Sequence, residues 1–170
     1  MDLMITGTTQ SNFFNRAALR AALFVFCVSF FTGFIDKDAH AKMLQEKLFL
    51  ETSQGERQIS VEVTDTPEDM AVGLMFRTSL PDDSGMLFPS PAPRESTMWM
   101  RNTYIPLDMV FIRADGVIHR IEAMTEPLSE MIIASKGDVL AVLELAGGAA
   151  ARFGLKPGDR VRHRIFQNTR

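Results

Sequence analysis

The sequence predicts a mainly β fold for residues 42–170, an antiparallel sandwich or barrel with one or two short helices. Two observations support this class. Apolar and polar residues alternate in several short runs, with the period of a half-buried strand. Turns rich in glycine and proline separate these runs, and a single segment has a clear helix-start signal. An α+β arrangement is the alternative class.

The chain after residue 41 begins with a predicted hairpin. We predict strands at 47–51 and 58–64, joined by a turn at 53–56. In the second strand, Ile59 and Val61 alternate with polar residues, which indicates one buried face and one solvated face.

A short helix is expected to follow this hairpin. Thr66 can cap its N-terminus, and Pro67 suits the first helical position. We expect Met70 and Leu74 to face the core and the helix to end near Phe76.

The rest of the chain has the pattern of short strands and turns. The three prolines of 89–93 remove backbone donors, so no regular ladder is expected there. Alternating arginines at 160–164 indicate the solvated face of an edge strand. The further predicted extended segments are 86–88, 97–101, 107–113, 117–123, 139–145 and 161–166, with one short helix at 147–153.

The first 41 residues have the organisation of a secretory signal peptide. Two arginines precede an uncharged apolar run at 21–35, and Ala39–Ala41 supplies the small residues of a cleavage site. The run is shorter than the roughly 20 apolar residues that a membrane-spanning helix needs. We therefore predict cleavage after Ala41, a single domain at 42–170, and a periplasmic or secreted location. An uncleaved leader that tethers the protein to the membrane is the alternative.

Composition argues against several classes of function. The net charge is −3, and this acidic balance argues against nucleic acid as a partner. The single cysteine, Cys27, lies in the leader, so the mature chain has no disulfide, thiolate metal site or cysteine nucleophile. Its two histidines, His119 and His163, lie on separate predicted strands, where we interpret them as solvent-facing. We predict no metal site and no cofactor, and the sequence sets no oligomeric state.

The segment 97–108 holds the most unusual residues, including the single tryptophan and the single tyrosine of the chain. Alternation places Met98 and Met100 on one side of an extended segment and Trp99 on the other. The two methionines suit a core, because methionine fills irregular gaps readily.

Two acidic residues interrupt apolar runs. Asp108 lies within 105–112 and Glu144 within 142–145, and a buried carboxylate costs several kcal/mol unless it is paired or accepts hydrogen bonds. Arg77 is a candidate partner for either acid. One interpretation is a buried ion pair that fastens the helix to the sheet. The other is a pocket that holds a polar ligand, and its candidate binding residues are Arg77, Trp99, Asn102, Thr103, Asp108 and Glu144, with no catalytic residue assigned.

These residues favour an exported domain that binds a small polar ligand or acts as an accessory domain. One alternative is a hydrolase that uses Asp108 and Glu144 as acid and base. Another is Cu(I) binding by Met98 and Met100, because thioethers suit that ion. A fourth is a structural envelope protein that docks a partner through the proline segment 89–93. Membrane contact is expected only through the leader before cleavage.

Four motifs in order resemble an uncharacterised family known as domain of unknown function 192. They are Glu68–Arg77, Gly85–Phe88, Trp99–Asp108 and Val142–Gly148, followed by Gly158-Asp159. The resemblance covers about residues 48–164 and implies a compact β-rich fold of jelly-roll or barrel type; members often carry a signal peptide. It implies no activity. A shared site would be expected among Gly73, Arg77, Gly85, Trp99, Asn102, Thr103, Pro106, Asp108 and Glu144.

Overall fold

Seven strands form one curled sheet, a half-barrel, in the computed structural model, which describes residues 43–169. The strands are β1 (Gln45–Thr52), β2 (Gly55–Val63), β3 (Ser84–Met98), β4 (Leu107–Ile112), β5 (Ile118–Glu122), β6 (Ile133–Ala146) and β7 (Arg160–Arg162). Two short helices, α1 (Pro67–Val72) and α2 (Ala149–Phe153), and a 3-10 turn at Arg164–Phe166 complete the elements. The predicted mainly β class is confirmed, whereas the predicted leader lies outside the described residues.

The sheet has the strand order β5-β4-β6-β3-β2-β1-β7. Its pairs are antiparallel except β2 and β3, which run parallel over Ser60–Val63 and Ser84–Leu87. The chain crosses over through α1 between these two strands, and a parallel pair requires such a connection. The expectation of an entirely antiparallel sheet is therefore wrong for this pair.

The two outer strands of the sheet meet, which gives the sheet its curl. Val117 bridges Arg160, and the amide of Ile118 donates to the carbonyl of Asp159 at 2.8 Å. As predicted, the arginines of β7 flank a buried residue, Val161. The predicted strand at 161–166 is too long, because the chain turns into the 3-10 segment after Arg162.

Both faces of the sheet carry an apolar core. The inner core takes side chains from all seven strands and is closed by Phe153 of α2 and by Phe166. The outer core lies on β3, β4 and β6, where Leu74 and Met100 pack over it. A side chain's position in a strand therefore decides which of two separate cores it enters.

The proline segment is part of a strand, contrary to the sequence prediction. β3 runs through Pro89, Pro91 and Pro93 and pairs with β6, with an irregular register between Pro89 and Arg94. The carbonyl of Leu87 accepts from the amide of Thr64, the residue after β2, so Pro89, two residues further along, faces the edge beyond the end of β2. Prolines at an edge or a bulge cost few ladder hydrogen bonds.

Helix α1 begins as predicted and ends earlier. Thr66 caps it, because its hydroxyl accepts from the amide of Asp69 at 3.0 Å. The helix ends at Val72 rather than near Phe76. None of the helices in residues 43–169 has the length and apolar character of a membrane span.

Candidate functional site

Asp108 is fully buried on the inner face of the sheet and accepts three backbone hydrogen bonds. Its carboxylate receives the amides of Met124 at 2.8 Å, Gly148 at 3.0 Å and Ala150 at 2.8 Å. The last two amides belong to the first turn of α2, where unpaired N–H groups and the helix dipole favour an anion. Asp108 therefore holds α2 against the sheet and has no carboxylate oxygen turned to solvent.

Glu144 lies on the opposite, outer face. It shares the face of Val142, and its register partners are Met86 on β3 and Met109 on β4. Its side chain is buried, and this burial raises the pKa of Glu144 to about 8. The carboxyl group is accordingly neutral at pH 7.

The two acids do not form a catalytic pair. Asp108 enters the inner face beside Val110 and Glu144 enters the outer face beside Val142, so the sheet separates them. Both are buried, whereas acid–base catalysis requires both groups to reach the same substrate bond. The geometry contradicts the predicted use of Asp108 and Glu144 as acid and base.

Arg77 pairs with neither of these acids, contrary to the sequence prediction. Its guanidinium makes a two-pronged contact with Glu62 of β2, with Nη1 to Oε1 and Nη2 to Oε2 both at 2.6 Å. The hydrogen bonds that Arg77 donates to Glu62 raise the pKa of Arg77, although both groups retain some solvent contact. The expected ion pair that fastens the helix segment to the sheet exists, but with a different acid.

The turn at Asn102 and Thr103 forms as predicted, and its backbone groups are engaged within this chain. The amide of Thr103 donates to the carbonyl of Met100 at 3.1 Å, and Thr103 is buried. The carbonyl of Asn102 accepts from the amide of Phe76 at 2.8 Å. These two residues therefore join the turn to the segment after α1.

Trp99 and the two methionines beside it point in opposite directions, as the alternation predicts. Trp99 is 43% exposed, and the guanidinium carbon of Arg101 lies 4.5 Å from the centre of its ring. Met100 is fully buried, and its sulfur accepts from the hydroxyl of Thr125 at 3.1 Å. Met98 packs against the same outer core. The two thioethers therefore belong to the core rather than to an open ligand pair.

A cleft of about 330 Å³ lies beside Trp99. Its volume falls in the usual range of small-ligand pockets, and its walls are mostly apolar. We call it the Trp99 cleft, and it is lined by Met70, Ala71, Thr97, Met98, Trp99 and Ile132. A second cavity, of about 370 Å³, shares Ile132 and is also lined by Met124 and Met131.

The Trp99 cleft is part of a wider apolar surface, formed by the segments 70–76, 99–104 and 124–132. Hydrogen bonds join these segments, because Phe76 donates to Asn102 and Leu128 donates to the carbonyl of Thr103. Apart from Leu44, every strongly exposed large apolar side chain of the described residues belongs to it: Met70, Phe76, Trp99, Tyr104, Met124, Leu128, Met131 and Ile132. Such concentration on a surface is typical of a binding site.

Backbone strain is concentrated in the same surface. Phe76, Asn102, Met124 and Leu128 have φ values of 64°, 56°, 52° and 63°. This left-handed conformation is costly for bulky side chains, and backbone strain tends to cluster at functional sites. Three of these residues are also exposed apolar side chains, so the strain coincides with their display to solvent.

Most of this surface was not predicted from the sequence. Met70 was expected in the core but is 40% exposed in the Trp99 cleft. Met131 and Ile132 received no role, although they are 74% and 63% exposed. An available signal was an apolar pair that follows the turn residues of 127–129 and lies outside any alternating run.

The histidines do not form a site together. His119 lies near the sheet edge beside Arg113. His163 is buried, so its interpretation as a solvent-facing residue is wrong. Its Nε2 lies 3.0 Å from a carboxylate oxygen of Glu46. Burial lowers the pKa of His163, whereas the hydrogen bond from Arg164 lowers the pKa of Glu46. Within residues 43–169, no group of three or more histidine, aspartate and glutamate side chains could hold a metal ion.

A concavity of about 730 Å³ beside β7 is a polar depression. Its arginines are engaged: Arg162 pairs with Glu51 and Glu56, and Arg160 donates to the carbonyl of Asp115 at 2.9 Å. Because these cations already have acidic or carbonyl partners, the depression is a poor site for an anion.

Comparison with known proteins identifies relatives without assigning an activity. The DUF192 family model, described as "Uncharacterized ACR", matches residues 49–163. A structure from Sinorhizobium meliloti 1021, described as a "putative transcription regulator", is 41% identical over 73% of this chain and 97% of its own, with a TM-score of 0.70. A protein of unknown function from Novosphingobium aromaticivorans DSM 12444 is 39% identical over 74% of this chain and 89% of its own, with a TM-score of 0.71. No curated protein matches the sequence.

Proposed function

Because the chain belongs to the DUF192 family, whose description names no activity, we propose its function from the geometry: it is an exported binding or accessory domain whose ligand or partner inserts an apolar group into the Trp99 cleft. The observation that carries this proposal is the concentration of exposed apolar side chains around that cleft. An apolar group that enters the cleft removes these side chains from water, at roughly 25 cal/mol per Å² buried.

The proposal changes the chemistry of the expected ligand. A small polar ligand would need several converging polar groups, but Arg77 is paired with Glu62 and Thr103 is buried. The Trp99 ring and Ile132 instead offer an apolar wall. We do not extend transcription regulation to this chain, since its net charge of −3 is unfavourable for binding DNA.

Trp99 makes the proposal testable, because it is the single tryptophan of the chain and lies in the wall of this cleft. The exported protein is titrated with N-phenyl-1-naphthylamine, a neutral apolar dye. We expect saturable energy transfer from Trp99 to the dye. Ile132→Asp should weaken dye binding at least about tenfold, because it places a charge in the apolar wall.

Leu44→Asp is the matched control, since Leu44 is 64% exposed and Ile132 is 63% exposed, but Leu44 lies outside the apolar surface. It should leave dye binding unchanged. Absence of saturable binding, or equal loss in both variants, would contradict the proposed site.

Export is tested separately. Mass spectrometry of the protein recovered from the periplasm or medium should show an N-terminus at Lys42. A protein that keeps Met1 at the membrane would support the tethered alternative, whereas one found intact inside the cell would contradict export.

A further inference from the structure

The apolar surface offers two adjacent concavities rather than one. Ile132 lines both the Trp99 cleft and the second cavity. Each has room for an apolar side chain. Two anchors separated by one shared wall suit a polypeptide segment, whose apolar side chains recur at short spacing along one face.

The charges around the apolar surface are mainly acidic. Its three segments contain the acids Glu126 and Glu130, and Glu68 and Asp69 immediately precede the first segment. The single basic residue within the three segments is Arg101, which pairs with Glu130 at 3.0 Å. The charges of Glu68, Asp69 and Glu126 are therefore not neutralised by Arg101.

The second cavity does not reverse this balance. Arg120 on its wall pairs with Glu122, and Lys136 contributes one further positive charge. The surroundings of the two cavities thus stay net negative. An anionic lipid surface would be repelled, whereas lysine or arginine on a bound segment would be attracted.

We infer that the partner of the apolar surface is a cationic amphipathic polypeptide segment, which places two apolar side chains in the two cavities and its basic residues beside Glu68, Asp69 and Glu126. This inference rests on the proposed function and adds the class of the partner. The apolar anchors provide most of the affinity, and the acidic rim selects the charge of the segment.

Two model peptides of about 18 residues test the inference, a length at which amphipathic sequences can form a helix. One has leucine on one face and lysine on the other; its counterpart has glutamate in place of lysine. Binding to the exported protein is measured by Trp99 fluorescence and by calorimetry. We expect the lysine peptide to bind at least about tenfold more tightly than the glutamate peptide, with a difference that shrinks as salt rises.

Charge variants locate the effect. Glu126→Gln and Glu68→Gln should each weaken binding of the lysine peptide about 1.5- to 5-fold, the range of single exposed ion pairs, and leave dye binding unchanged. Asp83→Asn, at the far end of β3 from Met98, changes the net charge equally and should have no effect.

The possible failures are distinguishable. Dye binding with equal affinity for both peptides would overturn the inferred partner and leave the proposed function standing. Tighter binding to phosphatidylcholine or phosphatidylglycerol vesicles than to the lysine peptide would also overturn it, in favour of a lipid surface. Loss of both dye and peptide binding would contradict the proposed function itself.

Discussion

Asp108 and Glu144 are two buried acids that the fold accommodates by different means. Asp108 receives three backbone amides, which replace the water it loses. Glu144 lies between two methionines and is accommodated as the neutral acid. One buried acid therefore has a structural role in the inner core, and the other carries a pH-dependent cost in the outer core.

Replacement of Asp108 by asparagine should destabilise the protein by about 2–4 kcal/mol, because an NH₂ group would face at least one of the three amide donors. The free energy of unfolding in denaturant measures this loss. Asp159→Asn is the control, since Asp159 accepts one backbone amide, from Lys156, in an exposed turn. A loss no larger than that of the control would contradict the capping role of Asp108.

Because Glu144 is buried, we expect the free energy of unfolding to fall as the pH rises. Burial raises the pKa of Glu144 to about 8 from 4.5, so between these values the unfolded chain releases a proton that the folded chain retains. Stability from this group is therefore complete below pH 4.5 and is lost as the pH rises towards 8.

Glu144→Gln should remove this pH dependence. Relative to the natural chain, its unfolding free energy should increase between pH 5 and pH 8 by a difference on the order of 3 kcal/mol. Chemical denaturation across this range measures the difference. Glu95→Gln, at an exposed position of β3, controls for loss of one charge. Parallel pH profiles for the natural chain and Glu144→Gln would contradict a buried neutral Glu144.

At the scale of elements, the segment after α1 is held to the sheet by the Arg77–Glu62 pair. Both groups are partly shielded from water, and the contact is two-pronged. A double-mutant cycle with Arg77→Ala and Glu62→Ala should give a coupling energy of about 1 kcal/mol. The exposed pair Arg101–Glu130 is the comparison and should give less than about 0.5 kcal/mol. Equal couplings would show that the first pair adds no specific fastening.

The strands were predictable from sequence because their alternation is a local signal. The directions of Trp99 and Met100 follow from that period alone, and Thr66 marks the start of α1. The partner of Arg77 was not predictable, because Glu62 lies in an alternating strand and carries no mark that separates it from other acids. A local pattern gives the face of a side chain but not the distance between remote elements.

The same limit explains why the sequence predicted neither the extent of β3 nor the hydrogen-bond partners of Asp108. The prolines of 89–93 signal a broken ladder, yet an edge tolerates them, and this part of β3 is an edge only because its pairing with β2 ends at Leu87. The donors to Asp108 come from Met124, Gly148 and Ala150, which are distant in sequence. Backbone amides carry no residue-specific signal, so no reading of side chains could have identified them.

At the scale of the whole molecule, the curled sheet and the apolar surface depend on each other. The inner core takes side chains from all seven strands, and the outer core carries the segments that display Trp99 and Phe76. The closing contact joins the turn before β5 to β7, where the amide of Val161 donates to the carbonyl of Gly116 at 2.8 Å. The stability of this contact should therefore limit the stability of the whole sheet.

Gly116 and Gly158 allow the closing contact to be tested with matched variants. Both have positive φ, 82° and 96°, so alanine at either position carries a similar backbone strain of about 1–2 kcal/mol. A Cβ at Gly116 would also lie 2.5 Å from the carbonyl oxygen of Val161, whereas a Cβ at Gly158 would meet nothing within 4 Å. Because that oxygen belongs to the backbone of β7, it cannot move without opening the closing contact.

Gly116→Ala should therefore cost about 2 kcal/mol more than Gly158→Ala in the free energy of unfolding, since forced overpacking adds to the shared strain. Hydrogen exchange should show faster opening of β7 and β5 in Gly116→Ala than in Gly158→Ala. If the two variants lose equal stability, the contact between the outer strands contributes nothing beyond local turn geometry. In that case the curl of the sheet must be maintained by its inner core alone.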